Sequence, residues 1–71
     1  MSQLTHEQYN RLERAVTRSE RISVSRKGAE YIIVPLAMRM HNGRETVDAR
    51  NPTTGDALMI YLDEVDSVDV L

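Results

Sequence analysis

The sequence predicts a mainly β domain with one N-terminal α-helix, in which a strongly bent five-stranded antiparallel sheet curls into a small barrel. Three observations predict it. A capped amphipathic segment occupies residues 6–18, the apolar period then switches from 3.6 to 2, and an Asn-Gly pair interrupts a long alternating tract. At 71 residues the chain is one domain, 1–71. A chain of this size buries only roughly 60% of its unfolded surface, so its core is thin.

The helix has the clearest local signal. Thr5-His6-Glu7-Gln8 reads as a capping box, with Thr5 at the N-cap and Gln8 returning a bond from the third helical position. Leu4 and Tyr9 stand where a hydrophobic staple would fix the entry of the chain. Tyr9, Leu12 and Val16 then form one apolar face, and Arg11, Arg14 and Arg18 a solvated one, with Glu7 and Arg11 paired at i, i+4.

Strands are expected at about 21–26, 30–40, 44–50, 57–62 and 65–70. In the first, Ile22 and Val24 alternate with Ser23 and Ser25, and Lys27-Gly28-Ala29 turns the chain. The second carries Pro35, which cannot donate to a ladder and so belongs at a bulge, a bend or an edge. A long strand bent there lets a small sheet curl. Asn42-Gly43 is a type I′ hairpin turn that fixes register. It sets His41 opposite Arg44, Met40 opposite Glu45, Met38 opposite Val47 and Leu36 opposite Ala49. Leu36, Met38, Met40, Val47 and Ala49 should therefore face the core. Ala37, Arg39, His41, Arg44, Thr46, Asp48 and Arg50 share the outer face. After a turn at 51–56, Leu58, Ile60 and Leu62 alternate with Met59 and Tyr61, and Asp63-Glu64 breaks that strand before the last one.

Charge is unevenly distributed. Residues 1–50 hold all nine Lys and Arg against six acids, and residues 51–71 hold five acids and no base. One reading is a binding polarity; the other is that acids and bases meet across neighbouring strands. The outer face of the hairpin is the leading anion-binding surface, because Arg39, Arg44 and Arg50 can grip phosphate and His41 lies among them. Tyr61 is the one ring placed to stack there. The competing surface is acidic, formed by Asp63, Glu64 and Asp66.

Catalysis is not expected. Ser and Thr residues have no partnered His, and His6 and His41 lack ligand spacing. The run from Asp63 to Asp69 lacks the glycine and alternation of a calcium loop, and the three glycines lie in separate turns. No cofactor or metal is implied. There is no cysteine, no apolar run near the ~18 residues of a membrane span, and a polar Met1–Glu7 start. A soluble cytoplasmic domain without membrane contact is the expectation.

Several short elements resemble a known family. Leu12-x-x-Ala15-Val16, Ile22-Ser23-Val24, Val34-Pro35-Leu36, Asn42-Gly43, Ala49, Thr54-Gly55 and Ile60-Tyr61-Leu62-Asp63-Glu64-Val65 resemble the WYL domains, Sm-like small barrels of bacterial regulators and defence proteins. The family's Trp-Tyr-Leu signature falls on Glu45-Thr46-Val47, where Val47 alone is similar. Tyr9-x-x-Leu12-Glu13-x-Ala15 and Leu62-Asp63-Glu64-Val65 also resemble the Rof family of Rho inhibitors, likewise Sm-like. Both resemblances imply an SH3/Sm-like barrel. The first implies a regulatory binding module for nucleic acid or a nucleotide-like ligand. The second implies a protein partner met through an acidic surface, for which an exposed edge strand is the alternative contact. The thin core, with Met59 and Tyr61 facing outward, adds self-association as a third expectation.

Overall fold

The computed structural model describes residues 4–71. Helix α1 (His6–Arg18) begins where Thr5, in extended conformation, accepts a 3.1 Å bond from the Gln8 amide. The Gln8 side chain accepts from the Thr5 amide at 3.4 Å, completing the capping box. Thr5→Ala should cost about 1 kcal/mol in a urea titration. The helix ends at Ser19, whose left-handed backbone turns its N–H onto the carbonyls of Ala15 and Val16. Leu12 and Ala15 are buried, while Tyr9 and Val16 pack on the core's margin. Arg11 departs from the solvated face expected of it. It keeps its 2.8 Å pair with Glu7 but also reaches the Val68 carbonyl and Asp69.

Five strands follow: β1 (Ile22–Arg26), β2 (Ala29–His41), β3 (Arg44–Arg50), β4 (Ala57–Tyr61) and β5 (Val65–Val70), the last two joined by a 3-10 turn at Leu62–Glu64. They form one antiparallel sheet in the order β4-β3-β2-β1-β5. Two tight turns set the registers. Lys27-Gly28 and Asn42-Gly43 all have positive φ, as a type I′ turn requires, and they pair Arg26 with Ala29 and His41 with Arg44.

β2 is shared between two limbs. Ala29–Ile33 pair with β1, and Val34–His41 pair with β3. Ile22, Val24, Ile33 and Val68 from one limb join Val47, Ala49 and Ile60 from the other in a single core, with Leu12 and Ala15 of α1. One cluster fed by both limbs requires the sheet to fold over at the middle of β2. No ladder joins β4 to β5 among the described residues. The pairing therefore establishes a bent five-stranded sheet with a common core, and not a closed barrel.

The bend corrects two core assignments. Met38 does face Val47 and Met40 faces Glu45, but the register shifts between Pro35 and Ala37. Ala49 consequently lies opposite Pro35 rather than Leu36. Pro35 is fully buried, and Leu36, the extra residue of the bulge, is 46% exposed. Met40 is on the expected face yet 65% exposed, because the inward face runs past the core toward the hairpin tip. Thr46, expected outside, is buried between its cross-strand partners Arg39 and Tyr61, and its hydroxyl donates to the Arg39 carbonyl at 3.2 Å. Leu62 belongs to the 3-10 turn rather than to β4 but keeps its buried position.

Ser23 is also buried, and its hydroxyl has no hydrogen-bond partner among the described residues. A buried hydroxyl without a partner loses its water without replacement. Ser23→Ala should therefore leave stability unchanged or raise it by about 1 kcal/mol, read as the shift in urea midpoint. A loss exceeding that would mean the hydroxyl has an internal partner.

Candidate functional site

The outer face of the β2–β3 hairpin brings Arg39, His41, Arg44 and Arg50 onto one surface, as the alternation requires. Each arginine is already engaged. Arg39 lies 2.6 Å from Asp48, on the diagonal between the Arg39–Thr46 and Ala37–Asp48 pairs. Arg50 donates to the Gly55 carbonyl at 2.9 Å and so braces the 51–56 turn. That turn is otherwise held by Asn51, whose side-chain oxygen accepts from the amides of Thr53 and Thr54.

Arg44 is the most constrained. Its Nε and Nη2 grip both oxygens of Asp63 at 2.9 and 2.7 Å, and Nη2 also approaches Glu64 at 3.5 Å. The guanidinium lies over the Tyr61 ring, 3.7 Å from its centre, and the His41 ring is tilted against the same tyrosine. Glu64 takes a second arginine, Arg26, at 3.7 Å. Two of the acids assigned to a protein-binding surface are thus bound to an arginine assigned to an anion site. Asp66, the third acid, is exposed, and its carboxylate has no hydrogen bond or ion pair among the described residues. The chain Arg26–Glu64–Arg44–Asp63 ties the ends of β1 and β3 to the 3-10 turn.

The forked hydrogen bond from Arg44 holds the Asp63 carboxyl below the usual carboxylate range, against a smaller opposing effect of burial. The same bond raises the Arg44 guanidinium above its ordinary value. A carboxylate with a lower pKa in the folded than in the unfolded chain adds stability above the unfolded value and loses it as pH falls through the folded one. Acid should therefore weaken wild type more than Asp63→Asn. Urea midpoints taken across pH 7 down to about 2 are expected to converge at the acid end. Parallel profiles would remove the Arg44–Asp63 pair from any role in stability.

Beside this network lies a cleft of about 450 Å³ between the start of α1, the hairpin tip and the 3-10 turn. Leu4, Tyr9, Met40 and Leu62 give it apolar walls, and Arg44, Glu45 and Asp63 its polar rim. The Tyr9 hydroxyl donates to Glu45 at 2.8 Å, which fixes the ring at one side. That bond, with burial adding to it, raises the Tyr9 pKa. A smaller depression continues along Tyr9, Met38, Arg39 and Met40. The cleft is not legible in the sequence, because it needs α1 and the hairpin tip side by side. The available signal is Met40, an apolar residue two positions before the Asn42-Gly43 tip.

Among the described residues no group of three His, Cys, Asp or Glu side chains could hold a metal ion, and no helix is long and apolar enough to cross a membrane. No protein-family model matches the chain, and no curated protein matches it.

Proposed function

We propose that the domain is a protein-interaction module of regulatory type, built on a small bent sheet of the Sm-like kind, which takes an apolar side chain of a polypeptide partner into the cleft beside Met40. The observation that carries this reading is the state of the arginines. Arg39 and Arg44 are held by carboxylates, so an incoming phosphate would have to displace Asp48 or Asp63 before it was bound. The cleft needs no such exchange, since Met40 is already exposed and Leu4, Tyr9 and Leu62 stand around it. Apolar anchors seated in a preformed pocket with a polar rim are a usual source of affinity between proteins. The reading agrees with the partner class implied by the Rof resemblance, although the cleft and not the acidic turn supplies the contact.

A photoreactive amino acid at position 40 tests it. Crosslinks to a partner protein should be suppressed by excess wild-type domain and not by excess Met40→Glu domain. Equal suppression by both would rule the cleft out. Oligonucleotide titration at low salt, read on the arginine side-chain resonances, is expected to leave Arg39 and Arg44 unshifted. A second reading has one specific support: Arg50 donates to a carbonyl and has no carboxylate partner among the described residues. An anionic, nucleotide-like ligand would then bind at Arg50. Salt-sensitive oligonucleotide binding abolished by Arg50→Ala would establish that reading and displace the first.

A further inference from the structure

β4 is an outer strand, bonded to β3 on one side and to no other strand on its free side among the described residues. Natural sheets protect such an edge with charge, proline, a bulge or a covering segment. Ala57-Leu58-Met59-Ile60-Tyr61 contains no charged residue and no proline, and its five pairs with β3 run without a register shift. The other edge is different. β5 carries Asp66 and Asp69, and its pairing with β1 is irregular at Ser25–Arg26. One edge of the sheet is guarded and the other is open.

We propose that β4 is a homodimer edge, at which two copies of the chain pair antiparallel about a two-fold axis through Met59. Antiparallel pairing keeps like faces together. In the centred register Ala57 meets Tyr61 of the second copy, Leu58 meets Ile60, and Met59 meets Met59. Small is set against large on the outer face, aliphatic against aliphatic on the inner, and no charge on the strand meets another. Pairing β4 with the β5 of a second copy would instead lay Met59 and Tyr61 along a strand carrying two aspartates. A five-residue edge of about 17 Å gives a contact below the roughly 1,200 Å² of a stable complex, so the dimer is weak and concentration-dependent. The proposal goes beyond the cleft reading and does not depend on it.

Met59 faces itself across the axis, which allows a test by charge. Met59→Lys and Met59→Glu should each weaken self-association by about tenfold or more, because like charges then stand opposite one another. Mixing the two variants should restore dimers, now of one Lys and one Glu chain. Met59 is 41% exposed on the outer face, so both variants should retain the wild-type circular dichroism spectrum. Sedimentation velocity from about 10 µM to about 1 mM reads the association. Concentration-dependent protection of β4 amides in hydrogen exchange reads the same contact in the unaltered chain. A wild type that stays monomeric throughout, or one that associates without β4 protection, would overturn the proposal. So would variants that fail to recover on mixing, which would place the contact at β5 or elsewhere.

Discussion

Leu12→Ala is expected to remove about 3 kcal/mol of stability, within the range for truncating a buried leucine. A domain of this length has about 4–11 kcal/mol in all, at about 0.05–0.15 kcal/mol per residue, and a thin core puts it toward the lower end. The loss is large because Leu12 is 1% exposed and, with Ala15, forms the buried part of α1. A 13-residue helix is marginal in water and is held chiefly by its apolar face. Removing that face's largest fully buried side chain leaves a cavity and loosens the helix together. Urea denaturation at constant slope should show the midpoint falling by half or more. Leu36→Ala is the matched control, since the bulge turns Leu36 outward; it should cost less than about 0.5 kcal/mol. Equal losses at the two leucines would mean that Leu36 faces inward and the bulge lies elsewhere.

The contrast between these leucines shows where the fold is legible in the sequence. The helix bounds, the places of both tight turns, the type I′ form of Asn42-Gly43 and the hairpin register back to Met38 follow from local chemistry: a capping box, glycines at the turns, strict alternation. Leu36 breaks the pattern because alternation counts residues and a bulge inserts one. Pro35 signals that a disruption is near but not on which side the extra residue falls. Met40 has the right parity and the wrong depth, since periodicity assigns a face and says nothing of where the core ends along a strand. The binding surface is harder still. Alternation puts Arg39, Arg44 and Arg50 on one face, and they are there. Whether they are available depends on partners 19 and 20 residues away in the case of Arg44, a distance no local pattern spans. The reading in which acids and bases meet across neighbouring strands describes Arg39–Asp48, whereas Arg44 reaches past the strands to Asp63 in the 3-10 turn.

Gly43→Val carries the second large effect, about 2 kcal/mol, and isolates a backbone cause. Gly43 has φ +78, a region that costs an L-residue about 1–2 kcal/mol and a β-branched one more. A Cβ built at this position meets nothing within 4 Å, so no steric clash with the rest of the fold contributes. Gly28, in the other tight turn, has φ +79 and equally open surroundings. Gly28→Val should therefore cost the same within about 0.5 kcal/mol, and the two losses should add, since the turns belong to separate hairpins. Gly43→Asn should cost much less, because asparagine tolerates the left-handed region; Asn42 already occupies it at φ 52. The hairpin also walls the cleft through Met40 and Gly43, so Gly43→Val should reduce protection of the β2–β3 tip amides in hydrogen exchange before it affects β1. Loss spread evenly over all strands would show that the tip does not open on its own, and that the cleft wall is as stable as the core beneath it.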